Sequence, residues 1–367
     1  MTVALRALVF AVALILAATT AYAESYTREE LRIEMKDAGP RGLEALLVRP
    51  SAPGKYPLAI ITHGAPRKPE ERTRMTPWTS YPSALEFARR GWAVAVVMRR
   101  AYGDSDGTFS EGAGPCEKRD YTAGAKASAQ DIRAAIAFLA KRPDIDGTRI
   151  LSVGQSAGGM ATVALTADPP PGLIGAISFA GGRGSKSDFV VCDEPSLIGA
   201  FRTFGKTSRL PMLWVYTAND HYFAPPLAAK FHAAFTSGGG KAQFIKAPPF
   251  GKDGHALFSA NGIPQWTPYV DAWLTEQKLA LREQPMDLPP LPAVTAPPQL
   301  NDIGREAFGK YLRAGQHKAF AVTKEGGFGY QTARRSLEEA KAEALRLCIG
   351  DKARDCRLVF IGDQPAP

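Results

Sequence analysis

One short run of residues, Gly154-Gln155-Ser156-Ala157-Gly158, has the composition needed to turn an ordinary hydroxyl into a nucleophile. A serine hydroxyl does little at neutral pH until a base accepts its proton, and that base works best when an acid fixes its orientation. The run lies between an apolar stretch at 150–154, which reads as a strand, and a helix-forming stretch at 158–165. A sharp strand-to-helix turn lifts the hydroxyl to the edge of a sheet and needs small residues on both sides of the serine, where larger side chains would strike the strand and helix.

The base must come from five histidines, His63, His221, His232, His255 and His317. His255 closes the glycine-containing stretch Phe250-Gly-Lys-Asp-Gly-His255, a loop after the last expected strand of the sheet, from which an imidazole can reach over the serine. His232 falls inside a helical stretch and reads as structural, and His317 lies far along the chain. Asp220 ends the strand-like run Trp214-Val-Tyr-Thr-Ala-Asn-Asp220 and gives the order Ser, Asp, His. Asp253, closer in sequence to His255, reads as a residue that shapes the loop. His221 either lines the cleft or packs beside it.

Negative charge developing on the substrate oxygen needs two backbone donors, one of them from the residue after the nucleophile, Ala157. The second belongs in the loop His63-Gly64-Ala65-Pro66. Pro66 has no amide hydrogen, so Gly64 or Ala65 must donate, and Ala65 is the expected one. His63 is expected to turn that loop. Tyr102 and Tyr222 are expected as aromatics on the rim, where they would touch substrate. Arg67, Lys68, Arg72 and Arg74 would draw an acidic substrate or form a solvated charged loop. Nothing matches zinc-ligand spacing, and the set calls for no metal or cofactor.

These residues need a scaffold, and the chain alternates strand-like and helix-period runs from about 31 to 281. The pattern is that of an open, mostly parallel sheet covered on both faces. Expected strands lie at 31–35, 43–48, 56–62, 92–98, 150–154, 174–179, 213–216 and 242–246. Expected helices lie at 80–90, 127–141, 158–165, 227–235 and 268–281. About thirty residues separate the strands ending near 179 and beginning at 213, room for one helix and no large lid. The run PMDLPPLPAVTAPP at 285–298 cannot hold a helix or a central strand and reads as an extended spacer. Beyond it, a helix at 300–314, strands at 318–323 and 328–331, a helix from Ser336 to 347 opened by a capping box with Glu339, and a strand at 357–361 make a small α+β domain. The expected organisation is therefore 1–23 leader, 24–284 catalytic domain, 285–299 linker and 300–367 small domain.

Residues 1–23 have a basic start, an apolar run at 7–18 and a small-x-small ending at Ala21-Tyr22-Ala23. They read as a secretory signal peptide, with no membrane anchor left after its removal and a periplasmic or secreted product. Export favours disulfides among the four cysteines, and of three pairings Cys116 with Cys192 and Cys348 with Cys356 keeps each bridge within one domain. Loop entropy gives about 4.5 kcal/mol for the long bridge and about 2.5 for the short one. The formal charge of +9 is spread over the chain rather than gathered in a stripe, so a nucleic-acid partner is not expected. No oligomeric state follows from the sequence.

Together, His63-Gly64, the loop from Arg100 through Tyr102 and Gly103 to Gly107, Gly154 to Gly158, Asp220 and His255 resemble the dienelactone hydrolase-like branch of the α/β-hydrolase superfamily. There is further likeness to acyl esterases and to the catalytic domains of prolyl oligopeptidases. The resemblance covers roughly 40–282 and implies the α/β-hydrolase fold, a doubly wound mostly parallel sheet. It also implies an acyl-enzyme formed on serine from an ester, lactone or amide. True dienelactone hydrolases use cysteine where this chain has Ser156, so lactone specificity does not carry over. The expected activity is hydrolysis of a carboxylic ester, in a small molecule or a polymer. A prolyl-oligopeptidase-like peptidase is one alternative, and a non-catalytic envelope binding protein is another. The small domain resembles short cysteine-containing modules of exported bacterial proteins.

Overall fold

The computed structural model describes residues 26–350 and 355–367, so the expected leader at 1–23 lies outside the described residues. The first part of the chain runs β1 (Tyr26–Ile33), β2 (Leu43–Pro50), β3 (Tyr56–Thr62), α1 (Tyr81–Arg89), β4 (Ala93–Val97), α2 (Tyr121–Leu139), β5 (Ile145–Gln155), α3 (Ala157–Ala167) and β6 (Leu173–Phe179). It continues through β7 (Ser185–Ser187), β8 (Val190–Val191), α4 (Glu194–Gly205), β9 (Met212–Thr217), α5 (Pro225–Ser237), β10 (Ala242–Ala247) and α6 (Ile263–Glu276). Eight strands form one sheet in the order β1-β2-β4-β3-β5-β6-β9-β10. The first two pairings are antiparallel and the rest parallel.

Side-chain alternation along the central strands supplies both cores. In β4, Ala93, Ala95 and Val97 face the layer of α2, α3, α4 and α5, whereas Val94 and Val96 face α1 and α6. β9 splits the same way, with Trp214 and Tyr216 on one side and Leu213 and Val215 on the other. Because both faces are covered, these strands carry near-continuous apolar runs instead of a polar face. α3 is buried from Ala157 to Thr166, and its small residues let it settle directly on the sheet.

The second part holds α7 (Asp302–Arg313), β11 (Ala319–Thr323), β12 (Phe328–Gln331), α8 (Leu337–Ile349), β13 (Cys356–Ile361) and β14 (Gln364–Pro365). Its four strands are antiparallel in the order β12-β11-β13-β14. An aromatic cluster of Phe308, Tyr311, Phe320 and Phe360 fills one face of this sheet, and α8 covers the other through Ala340, Ala344 and Cys348. Ser336 caps α8 by accepting from Glu339 N at 3.1 Å, while the Glu339 carboxylate accepts from Arg335 N rather than from Ser336 N, so the capping box is shifted by one residue.

Several expected boundaries move. α2 begins at Tyr121, earlier than expected, because Asp120 accepts from Ala123 N at 2.8 Å and starts the helix there. α6 begins at Ile263 rather than Pro268, with Pro264 in its first turn and Pro268 inside the helix. The small hairpin of β7 and β8 was not expected. The proline-rich segment is extended as expected, yet it is docked: Met286 N donates to Arg89 O at 2.8 Å, Arg89 Nε to Met286 O at 2.6 Å, and Tyr26 Oη to Asp287 O at 2.8 Å. Arg335 of the small domain pairs with Glu44 at 2.7 Å and donates to Met75 O, which fixes the two parts against each other. Sulfur pairing follows the expected scheme, Cys116 with Cys192 and Cys348 with Cys356, at Cα separations of 4.9 and 6.0 Å. Among the described residues no helix is long and apolar enough to cross a membrane.

Candidate active site

Ser156 occupies the turn between β5 and α3 with φ 53° and ψ −119°. A non-glycine residue there stores about 1–3 kcal/mol of backbone strain, which the surroundings must hold in place. Ser156 N donates to Phe179 O at 2.9 Å, and Ser156 O accepts from Met160 N and Gly182 N, both at 3.0 Å. A Cβ at Gly158 would collide with the carbonyls of Thr62 and His63, and one at Gly154 with the backbone of Gly158. Both glycines of the motif are thus required by close approach of backbone. Gly64 lies against Ser156, where an added Cβ would stand 3.2 Å from Ser156 Cβ.

His255 sits in a 3-10 turn (Gly254–Ala256), and its Nδ1 lies 3.2 and 3.1 Å from the two carboxylate oxygens of Asp220. The carboxylate can only accept, so Nδ1 carries the hydrogen and Nε2 is left as the basic atom. Asp220 is fully buried, and its Oδ1 also accepts from Tyr222 N at 2.7 Å and Phe223 N at 2.8 Å, which fixes the carboxylate before the imidazole meets it. The loop bearing His255 is pinned to the one bearing Asp220 by Asn219, whose side chain binds the backbone of Phe250 and Gly251. Asp253 takes the loop-shaping place expected of it, accepting from His221 N at 3.0 Å and His255 N at 2.9 Å. Gln155, next to Ser156, donates from Nε2 to His255 O at 3.0 Å and joins this loop to the serine turn.

Ala157 is the first residue of α3, so its amide has no acceptor within the helix, and Ala65 lines the same pocket as Ser156 and Ala157. The pocket has a volume of about 180 Å³. Tyr222 stacks on the His255 ring at 3.9 Å with the planes 8° apart, and the guanidinium of Arg67 covers its other face at 3.8 Å. Arg67 is paired with Asp188, and Arg72 lies over Phe109, so neither forms the solvated loop or the free acidic-substrate magnet expected. Tyr102 is a correction. It is buried rather than placed on the rim, and its hydroxyl donates to Glu111 at 3.1 Å, so that it forms a wall of the pocket. Burial, reinforced by Glu111, pushes its hydroxyl up to about 12.

His63 turns its loop as expected. Its Nε2 accepts from Arg99 N at 3.1 Å, which leaves Nδ1 to donate to Gly64 O at 2.6 Å. Burial, with the charge of Arg99 beside it, holds this imidazole neutral, well below the usual histidine range. His232 is bonded to Ala242 O and His317 to Arg334 O, both structural, and His221 lies 3.2 Å from Asp188.

Three further residues escaped the sequence reading. Glu111 is buried and pairs with both Arg99 and Arg183. Arg99 donates to His63 O at 2.6 Å and Thr62 Oγ1 at 2.7 Å, under the loop of Ala65, and Arg183 reaches Ala157 O at 3.4 Å. Although burial alone would raise it, the guanidiniums of Arg183 and Arg99 hold the Glu111 carboxyl well below the usual carboxylate range. The adjacent arginines at 99 and 100, directly after a fully buried strand, were the available signal, because buried guanidiniums require partners.

The strand order, with its single antiparallel edge and the serine turn after β5, can be set beside known proteins. The model of the X-Pro dipeptidyl-peptidase (S15 family) matches residues 39–194. An acylaminoacyl peptidase from Pyrococcus horikoshii superposes with a TM-score of 0.50 at 17% identity, over 72% of this chain and 44% of that one. The fold is that of the α/β-hydrolases. Other solved structures of similar shape are a candidate dienelactone hydrolase from Klebsiella pneumoniae (TM-score 0.47, 16% identity, 69% of this chain and 99% of that one) and an esterase from Pyrococcus furiosus (0.46, 15%, 69% and 93%). No curated protein matches the sequence. The chain carries a larger cleft elsewhere as well. About 970 Å³ in volume, it is lined by residues of α1, the proline-rich segment and the small domain, among them Tyr81, Pro290, Arg313 and Tyr330.

Proposed function

We propose that this protein is a serine hydrolase that cleaves carboxylic esters outside the cytoplasm. The observation that carries the reading is the strained Ser156 at the β5–α3 turn, with an Asp220–His255 pair held by a loop bonded to its neighbour Gln155. Ser156 Oγ attacks the ester carbonyl while His255 Nε2 takes its proton. Asp220 stabilises the imidazolium and keeps its ring oriented, helped by the stacked Tyr222. Ala157 N and Ala65 N donate to the oxyanion. The proton passes to the departing alcohol, leaving an acyl-serine, and His255 then activates water to release the acid. The family match and the esterase-like shapes support a hydrolase, and two disulfides support an oxidising compartment.

A peptidase is the second reading, favoured by the dipeptidyl-peptidase description of the matching family. A dipeptidyl-peptidase receives a free α-amine, and Arg119 and Arg183 in the pocket would repel that cation. Fluorophosphonate labelling of the mature protein beside Ser156→Ala tests the nucleophile, and aryl acetate and butyrate turnover against X-Pro anilides tests the bond. Labelling lost in the variant, with esters cleaved and anilides spared, is the expected result. A folded wild type that neither labels nor turns over would leave the binding-protein reading in its place.

A further inference from the structure

Positive charge exceeds negative charge around the pocket beside Ser156. Arg99 and Arg183 both donate to Glu111, whose oxygens also take the Tyr102 hydroxyl, so one carboxylate faces two buried guanidiniums. Arg119 adds a third cation. It lines the pocket, forms no ion pair among the described residues, and approaches only Cys192 Sγ, at 3.8 Å from Nη2. Arg67, the remaining cation of the lining, is matched by Asp188 at 2.9 Å.

The seat of Arg119 is built rather than incidental. Its backbone N donates to Asp193 at 2.9 Å, the Cys116–Cys192 bridge ties its loop to the segment after β6, and the Tyr121 hydroxyl donates to Cys192 O. The side chain is part-buried, so its charge is less screened than that of a surface arginine. A buried excess of guanidinium calls for an anion, and arginine suits a carboxylate through paired donors.

We propose that this pocket receives a carboxylate carried by the substrate, bound by Arg119 and favoured by the excess charge on Arg99 and Arg183. The assignment rests on the ester-hydrolase reading for its catalytic consequence, and on the pocket alone for binding. The carboxylate can sit on the acyl or on the alcohol side of the ester, and the pocket volume of about 180 Å³ suits a short chain.

The test compares shape-matched neutral and anionic esters. Monoethyl succinate against ethyl isocaproate reads the acyl side, and O-acetylglycolate against isobutyl acetate reads the alcohol side. In one of the two pairs, kcat/KM for the anionic ester is expected to exceed that for the neutral one by roughly tenfold or more. Arg119→Gln should remove that preference, and Arg119→Lys should retain part of it. Calorimetric titration of folded Ser156→Ala with the same pairs reads binding without turnover. Neutral esters cleaved as well as anionic ones in both pairs, with Ser156 labelled by fluorophosphonate, would overturn the carboxylate site and leave the hydrolase standing. Anion-selective binding to Ser156→Ala, in a protein that neither labels nor turns over, would uphold the site and remove the hydrolase reading. Neither selectivity nor labelling removes both.

Discussion

The two cavities of this protein differ in the opposite sense from their sizes. The cleft between the domains has about five times the volume of the pocket beside Ser156, yet its walls are prolines, tyrosines and charged side chains such as Arg28, Arg313 and the paired Lys318 and Asp363, with no strained residue among them like Ser156. The small pocket is lined by the strained Ser156, Glu111 and Arg183, with Arg99 bonded to Glu111, and with the neutral His63 and the buried Asp220 on the loops that bring Ala65 and Tyr222 to its wall. Room for a ligand and capacity for chemistry are separate properties. Chemistry collects where desolvated charge and backbone strain are held together by surrounding bonds.

The sharpest way to break this contrast is to remove His255, the base in the proposed reaction. His255→Ala should lower ester turnover by about 10³-fold or more, whereas Arg313→Ala, in the large cleft, should leave it within about twofold. Equal losses in steady-state assays would mean that the large cleft takes part in the reaction.

Next in size is the buried cluster. Glu111→Gln leaves two guanidiniums facing an amide and should cost about 3–5 kcal/mol of stability by urea unfolding. Its pH dependence has a definite sign. Native Glu111 stays ionised where the unfolded chain takes up a proton near the ordinary 4.5, so its contribution is full above that pH and drains as the pH falls. Between pH 4 and pH 3 the wild type should therefore lose stability more steeply than the variant, by about 1.4 kcal/mol per pH unit. Parallel slopes would sink the assignment of charge to Glu111.

A smaller effect is expected at Gly64, where alanine crowds Ser156 Cβ from 3.2 Å. Gly64→Ala should lower kcat/KM roughly tenfold, with an unchanged circular dichroism spectrum. The disulfides give a graded test on the two domains. Replacing Cys116 and Cys192 by serine, which opens a loop with a separation of 76 residues, should lower the unfolding free energy by about 2 kcal/mol more than opening the bridge with a separation of 8. Equal melting shifts would count against a bracing role for the longer bridge.

How much of this was legible in the sequence depended on the range of the determining contact. The serine turn could be read because its two glycines and its place between a strand and a helix are local in sequence, and Gly154 is demanded by Gly158 four residues on, although Gly158 itself is demanded by the distant Thr62 and His63. Asp220 and His255 were expected as partners from their places after two strands, and the structure pairs them at 3.1 Å. Glu111 could not be read, since its partners Arg99 and Arg183 come from loops brought together only by the finished sheet. Tyr102 was misplaced for the same reason, because the direction of its side chain is set by Glu111. The start of α2 was obscured by Thr122 and Gly124, weak helix formers in its first turn. The hairpin of β7 and β8 is too short to show a period.

The docked proline-rich segment has a consequence for the molecule as a whole. With Met286 clasped to Arg89 and Arg335 bonded to Glu44, heat cannot release the small domain without also breaking bonds to α1 and β2. The two domains should therefore melt cooperatively, in one calorimetric transition, although they are built on two sheets and separate cores.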